Sequence, residues 1–453
     1  MSGSAFSWML DSAEVQALFG PRAVVQAMLD VEAALSAAQA ELGLITAAQA
    51  EVVQACCRLE DHDVGGLVQA SQTAGSLAIP LVQSLTRRVR ERDPSAVAAV
   101  HRGATSQDII DTAFCLQARQ AHRLLEADLN RLIESLIDLH RRHGQAPMLA
   151  RTLMQPATVS TFGARLLNWT APLLRSREQL RALAPRALRL QLGAAVGNGA
   201  AWGVQAQALA QAMARHLHLP DGPDDVQPWH VQRDEFARLC AELGVLTGAV
   251  GKIAVDVSLM AQAEVGELHE SAGAGRGGSS AMPHKRNPVG SLVARGALHR
   301  AAPRVAAVLG AMAHEHERAL GAWQAELTEA AELWAIACGA VRAMADAMDG
   351  AQVDEHQMHQ RIEDLRGLPM AEALARHWAD PMGRDQAHQR VQALSVRVGQ
   401  EGLHLRDLAL QAVVDPEEVE RLKTLFDPRT AASIGAANTQ AAWRALLERQ
   451  ERF

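Results

Sequence analysis

Residues 277–288 read Gly-Gly-Ser-Ser-Ala-Met-Pro-His-Lys-Arg-Asn-Pro and separate two long segments of helical periodicity. They cannot form the interior of a helix, because the glycines and the prolines Pro283 and Pro288 interrupt the helical pattern. Two hydroxyl groups, a lysine and an asparagine give the stretch more reactive side chains than a linker needs. A polar loop of this kind between rigid elements is typical of a functional site.

Long segments of helical period surround this loop and predict an all-α fold. Apolar residues recur at alternating spacings of three and four over residues 111–143, 234–262 and 323–349. At 1.5 Å of rise per residue such helices would be about 40–50 Å long, and they would pack side by side as a bundle. The periodicity does not distinguish a monomeric bundle from a bundle shared between chains.

The centre of the chain contains two further helical stretches, residues 159–187 and 289–317, with kinks expected at Pro172 and Pro303. No strand pattern of useful length is seen. The breaks in the pattern predict three helical domains, of which the central one carries the polar loop within residues 270–290. The domains are residues 1–110, 111–355 and 356–453.

Composition limits the possible partners. The chain has 453 residues, is 48% hydrophobic and 21% charged, and carries a net charge of −7 without a basic block, so nothing indicates a nucleic-acid surface and we expect no nucleic-acid partner. The N-terminus lacks a signal-peptide pattern and no apolar run reaches membrane-spanning length, so we expect a cytoplasmic protein. The five cysteines and eighteen histidines show no metal-site spacing. We therefore expect buried free thiols and no metal.

The run from Gly278 to Pro288 resembles the signature Gly-Ser-Ser-x-Met-Pro-x-Lys-x-Asn-Pro of the fumarase/aspartase superfamily, without a gap. The resemblance implies three all-helical domains, a homotetramer with a twenty-helix core, and sites shared between subunits. It also implies that Ser279 exchanges the proton on the carbon next to a substrate carboxylate, while Lys285 and Asn287 hold that carboxylate. This fits the chemistry, because the aci-carboxylate formed there needs preorganised cationic and amide donors.

The segment His101-Arg-Gly-Ala-Thr-Ser-Gln-Asp108 resembles the first conserved segment of the superfamily. Thr105 and Ser106 stand before a long helix, where backbone N–H groups and the helix dipole favour a carboxylate. We predict substrate binding by Thr105, Ser106 and His101. The alternative is that Thr105 or Ser106 caps the helix, and one residue could do both.

The segment Arg151-Thr-Leu-Met-Gln-Pro-Ala resembles the superfamily's Arg-Thr-His-x-Gln-x-Ala and predicts substrate binding by Arg151, Thr152 and Gln155. Leu153 replaces the histidine that handles protons in members that expel an amine. Loss of a general acid costs on the order of 10²–10⁴ in rate when an amine must leave. A carboxylate, with a pKa near about 4, leaves or attacks without a proton. Leu153 therefore favours a reaction at a carboxylate oxygen.

Residues 228–234, Pro-Trp-His-Val-Gln-Arg-Asp, and Gly321-Ala-Trp look like the muconate-lactonising branch of the superfamily. Arg233 is predicted to bind a substrate carboxylate. The alternative is a surface ion pair with Asp234 or Glu235. Arg318 and Trp323, near the start of the last long central helix, could line the substrate cleft or could pack against neighbouring side chains without contacting the substrate.

These resemblances predict an enzyme without a cofactor that closes a lactone on a small tricarboxylate. The substrate's own carboxylate attacks a conjugated alkene, and Ser279 delivers a proton next to another carboxylate. A second hypothesis is an amine-expelling member such as an adenylosuccinate lyase. The residues Ser-Ser-Ala-Met-Pro-His-Lys-Arg-Asn-Pro of the signature favour it, and Leu153 opposes it. A third is a structural protein that kept only the fold. Retention of Ser279, Lys285 and Asn287 together opposes it.

Overall fold

The structure is a computed structural model that describes residues 6–220, 228–271, 273 and 277–451. Within these residues most of the chain is helical, with two short two-stranded sheets, so the predicted all-α class is confirmed.

The elements follow one another along the chain as long helices separated by short connections. The helices of the first half are α1 (Ala13–Leu18), α2 (Pro21–Glu41), α3 (Ala47–Ala55), α4 (Val64–Ala74), α5 (Ala78–Arg92), α6 (Ser106–His143), α7 (Phe162–Ala187) and α8 (Ala206–His216). Those of the second half are α9 (Asp234–Met260), α10 (Val289–Gly310), α11 (Ala322–Met348), α12 (Glu355–Glu363), α13 (Ala371–Met382), α14 (Arg384–Glu401), α15 (Leu405–Leu410), α16 (Pro416–Leu425) and α17 (Pro428–Glu451). The strands are β1 (Pro147–Thr152), β2 (Gln155–Thr161), β3 (Leu268–His269) and β4 (Gln352–Val353).

The five long central helices α6, α7, α9, α10 and α11 correspond to the three segments of three-four spacing and the two further helical stretches. Helix α6 ends at His143, before Gly144, and α11 ends at Met348, shortly before Gly350 with φ +79°. Helix α10 stops at Gly310, seven residues before the predicted end of its segment. Pro303 lies inside it, so this proline does not break the helix. Periodicity therefore located the helices and was least accurate at their ends.

The antiparallel hairpin β1–β2 contradicts the expectation that no strand of useful length is present. Thr152 and Gln155 face each other across a two-residue turn in which Leu153 and Met154 have φ values of +51° and +65°. Two-residue hairpin turns with positive φ usually carry Asn-Gly or Gly. The Leu-Met pair gave no turn signal, and the hairpin was missed for that reason.

The described residues form two compact units, whose boundaries lie inside the five long helices. One comprises Met1–Asn130, Arg175–Gly251 and Leu292–Ala343, and the other Arg131–Leu174, Lys252–Ser291 and Met344–Phe453. The first has a core that includes Leu29, Leu85 and Met213, and the second has a core that includes Leu374 and Phe426. The division into residues 1–110, 111–355 and 356–453 stays a prediction.

Helix α9 is the most apolar of the long helices. By length and composition it could cross a membrane, because an 18-residue window of the helix has a mean hydropathy of 1.6. Half of this window is buried inside the protein. Burial of this kind is also usual for the core helix of a soluble protein, so the indication is weak. The five cysteines are all buried and unpaired, as predicted.

Candidate active site

The signature loop, residues 277–288, is closed by its own backbone. The Asn287 N–H donates to the Gly277 carbonyl at 2.8 Å, and the Asn287 side-chain amide donates to the Gly278 carbonyl at 3.4 Å. Gly277 has φ +70°, and a Cβ there would lie 2.4 Å from the Asn287 carbonyl oxygen. Only glycine fits this crossing, so Gly277 fixes the position of Asn287 relative to the start of the loop.

Ser279 is the hydroxyl that the loop surrounds with backbone donors. Its half-buried Oγ accepts from the Met282 N–H at 3.1 Å and from the Ala281 N–H at 3.4 Å. Two N–H donors stabilise an oxyanion at Oγ, which lowers the cost of giving up the serine proton. Such an arrangement suits a group that delivers or removes a proton.

Lys285 and Asn287 supply the donors of the loop that can meet an anion. Lys285 is exposed, and within the described residues its ammonium group forms no ion pair. Asn287 and Arg286 line a cleft of about 730 Å³, together with Gln262, His269 and Glu270. A cation without a partner and an amide at a cleft are suited to hold a carboxylate.

The β1–β2 hairpin carries three predicted binding residues in two different environments. Arg151, one residue before the tip of the hairpin, is held by a two-point ion pair, with Nη2 and Nη1 at 2.9 Å and 3.1 Å from the carboxylate of the buried Glu267. Thr152 and Gln155 are exposed at its tip. Leu153, between them, is 97% exposed. The guanidinium of Arg151 thus anchors the hairpin, and binding of substrate by Arg151 stays a prediction.

In the other unit, Thr105 lies directly before α6, at the N-cap position. Its N–H donates to Asp108 Oδ2 at 3.0 Å, which is one half of a capping box. Its Oγ1 accepts from Arg318 Nη1 at 2.7 Å, and Arg318 Nη2 donates to the Ala195 carbonyl at 2.8 Å. Ser106 begins the helix and is half-buried. Arg318, left open by the sequence, therefore fixes the Thr105 hydroxyl.

Asp108 is a buried carboxylate that the sequence analysis did not single out. Oδ1 accepts from the Gly193 N–H and from His230 Nε2, both at 2.8 Å, and Oδ2 accepts from the Ala194 N–H at 3.1 Å. With the Thr105 N–H this makes four donors on one carboxylate. Asp108 thereby ties the Thr105 segment to the glycine-containing stretch after α7. Its place in the Thr-Ser-Gln-Asp motif was the available signal.

Arg233 is buried in the interior of the same unit as Asp108. Its side chain is fully buried, with Nη1 2.9 Å from Asp111 and Nε 3.0 Å from Glu326. Burial alone would lower the pKa of Arg233, but the charges of Asp111 and Glu326 outweigh it and raise that pKa. Trp323 Nε1 also donates to Asp111, at 2.8 Å.

These contacts correct the alternative interpretation of Arg233 as a surface residue paired with Asp234 or Glu235. Those two carboxylates pair instead with Arg238, and Glu235 also with Arg186. Because all three guanidinium nitrogens already donate to carboxylates, the geometry favours a positioning role. Direct binding of substrate by Arg233 stays a prediction.

His101 is partnered by a buried acid on α2. Its Nδ1 lies 2.6 Å from Glu32 Oε1, and the Glu32 side chain is fully buried. Burial lowers the pKa of His101, but the charge and hydrogen bond of Glu32, with a further contribution from Asp108, outweigh it and raise the pKa. The contact with Glu32 therefore favours the protonated form of His101 and fixes the start of the Thr105 segment.

No group of three or more histidine, cysteine, aspartate or glutamate residues in the described part of the chain could hold a metal ion.

Comparison with known proteins defines the class. The model of a lyase family matches residues 11–302, so the chain belongs to this family and to the fumarase/aspartase superfamily whose signature it carries. It is 42% identical to the 3-carboxy-cis,cis-muconate cycloisomerase of Pseudomonas aeruginosa, over 96% of this chain and 94% of that protein. The crystal structure of the 3-carboxy-cis,cis-muconate lactonizing enzyme from Pseudomonas putida superposes with a TM-score of 0.90, 36% identity and 99% coverage of both chains. The nitrosuccinate lyase of Streptomyces davaonensis is 36% identical over 93% of this chain and 90% of that protein.

Proposed function

We propose that this protein is a cycloisomerase that converts 3-carboxy-cis,cis-muconate to 4-carboxymuconolactone in the breakdown of aromatic acids. The observation that carries the proposal is the signature loop, in which two backbone N–H groups donate to Ser279 Oγ and Lys285 forms no ion pair with any residue that the structure describes. The names of the relatives and of the structural neighbour support this function over the amine-expelling alternative.

The reaction needs one nucleophile and one proton donor, and the substrate itself supplies the nucleophile. One substrate carboxylate attacks an alkene carbon, a C–O bond forms, and the electron pair moves into a second carboxylate as an aci-carboxylate. Lys285 and Asn287 stabilise that charge. Ser279 then gives its proton to the carbon next to the second carboxylate, and its alkoxide is stabilised by the N–H groups of Ala281 and Met282.

No general acid is needed at the attacking oxygen, because a carboxylate reacts in its ionised form. The exposed Leu153 at the hairpin tip is compatible with this chemistry, since it can neither donate nor accept a proton. An enzyme that expels an amine would need another acid in place of Leu153.

Substrate recognition uses polar residues of three sequence motifs. In our proposal Thr105, Ser106, Thr152, Gln155, Lys285 and Asn287 contact the three carboxylates. His101, Arg151 and Arg233 have a positioning role, because each is already paired with a buried acid. No metal or cofactor takes part.

We further propose a homotetramer whose sites are shared between subunits, in the cytoplasm. Val245 on α9 is 60% exposed, and Leu292 and Leu309 on α10 are 48% and 49% exposed. Apolar side chains exposed along long helices are usual where another chain covers them. The buried free cysteines agree with a reducing compartment. Light scattering should give the mass of four copies of the 48.6 kDa chain, and a monomer would contradict the assembly.

The function is tested by mixing the purified protein with 3-carboxy-cis,cis-muconate and following the ultraviolet absorbance of the conjugated diene. Adenylosuccinate is offered in a parallel reaction. Diene loss without added metal is the expected result. A flat trace together with cleavage of adenylosuccinate would overturn the proposal and its argument from Leu153.

A further inference from the structure

Glu270 closes the base of the segment that contains the signature loop. Its Oε2 accepts from the Gly290 N–H at 2.9 Å, and its Oε1 accepts from the N–H and the hydroxyl of Ser291, both at 2.7 Å. Gly290 and Ser291 are in the first turn of α10, which starts directly after the loop. One carboxylate before the loop therefore binds the first residues after it.

This contact replaces the cap that α10 lacks in its own sequence. The residue before the helix is Pro288, whose side chain offers no hydrogen-bond acceptor. An N-cap normally comes from the adjacent Ser, Thr, Asp or Asn. Here the acceptor is twenty residues away in sequence and carries a negative charge, which also favours the positive end of the helix dipole.

Glu270 is itself fixed in place by the strand that precedes it. His269 pairs with Gln352 in the β3–β4 ladder, and Glu267 is buried and paired with Arg151. Glu270 and Asn287 line the same cleft. The side chain of Glu270 therefore links the start of α10, and with it the end of the signature loop, to the paired strand β3.

We propose that Glu270 is a positioning residue of the active site, acting through the loop on Lys285 and Asn287 without touching the substrate. Electrostatic stabilisation of a transition state requires donors held in place before the reaction. A displacement of about 1 Å can cost on the order of 10² in rate. Loss of Glu270 should therefore lower kcat far more than it changes KM. This kinetic expectation rests on the proposed function.

The test compares Glu270→Ala and Glu270→Gln with Asp415→Ala. Asp415 caps α16 in the same unit and is the matched control, because its side chain accepts from the Glu417 N–H at a helix start far from the loop in sequence. We expect kcat to fall on the order of 10²-fold in Glu270→Ala with KM changed less than about threefold. Glu270→Gln, which keeps one acceptor oxygen, should recover about tenfold of this loss.

Limited proteolysis gives a readout that does not depend on the substrate. Trypsin can cut the exposed loop after Lys285 and Arg286, and the rate is measured from the masses of fragments that end there. We expect several-fold faster cutting in Glu270→Ala and in Glu270→Gln, and an unchanged rate in Asp415→Ala.

An unchanged cutting rate in the Glu270 variants would overturn the inference, as would a loss of kcat in Asp415→Ala equal to that in Glu270→Ala. If the native protein does not turn over 3-carboxy-cis,cis-muconate but loop cutting still depends on Glu270, the positioning role stands and the proposed function alone fails. Should Glu270→Ala not fold, the isosteric Glu270→Gln decides by the same two measurements.

Discussion

The signature loop and the buried network of Asp108, Asp111, His230, Arg233 and Glu326 differ in how fully their polar groups are satisfied. The network is almost free of solvent, and Arg233 is paired directly with the carboxylates of Asp111 and Glu326. The loop is largely exposed, and Lys285 has no ion-pair partner among the described residues. Groups that meet a substrate must be available, whereas groups that hold a binding segment in place can be saturated.

This contrast predicts opposite phenotypes for two cations, and both effects should be large. Lys285→Met should reduce turnover by on the order of 10²–10³ while the free energy of unfolding changes by less than about 0.5 kcal/mol. Arg233→Met should cost about 3–5 kcal/mol of stability, because Asp111 and Glu326 are left buried without their cation. Denaturant unfolding and the diene assay on the same samples check both.

The comparison would fail if Lys285→Met unfolded the protein as readily as Arg233→Met. It would fail equally if Arg233→Met kept full stability, since its carboxylate partners would then not need it.

A smaller effect is expected from the His101–Glu32 pair at the edge of the network. Because the pKa of His101 is raised in the folded protein, its stabilising contribution is complete below the unfolded value of about 6.5 and is lost as the pH rises through the folded value. The stability difference between the native protein and Glu32→Gln should therefore be larger at about pH 6 than at about pH 9. Unfolding curves at both pH values measure this difference, and an equal difference at both would contradict the assignment.

The smallest effect is predicted at the hairpin tip. Leu153→His should leave the rate of lactone formation within about threefold, because the attacking carboxylate needs no proton from this position. Leu153→Gln serves as the matched polar control. A large gain in rate specific to histidine would show that proton transfer at this position limits the native enzyme.

The residues of the loop can be singled out from sequence, because the signature consists of residue types at fixed short spacings. Ser279, Lys285 and Asn287 lie within nine residues of one another. The long helices could also be predicted, since their stripes repeat locally. The hairpin turn at Leu153 and Met154 carried no such signal, because its positive φ values are imposed on residues that rarely adopt them.

The buried partners could not be predicted from a single sequence. Arg233 meets Asp111 across 122 positions and Glu326 across 93, and its nearest acids in sequence were the wrong ones. Asp108 likewise gains its backbone donors from Gly193 and Ala194. Only the packing of several helices brings such residues together, and local patterns contain no information about it.

The most direct test of the account is the diene assay on Ser279→Ala beside Ser280→Ala, the adjacent exposed hydroxyl of the same loop. We predict that Ser279→Ala loses at least about 10³-fold in kcat with an unchanged circular dichroism spectrum and unfolding curve, because the proton donor is removed. Ser280→Ala should stay within about tenfold of the native rate. A Ser279→Ala enzyme that keeps more than a few per cent of the native rate would contradict the central claim that this hydroxyl delivers the proton.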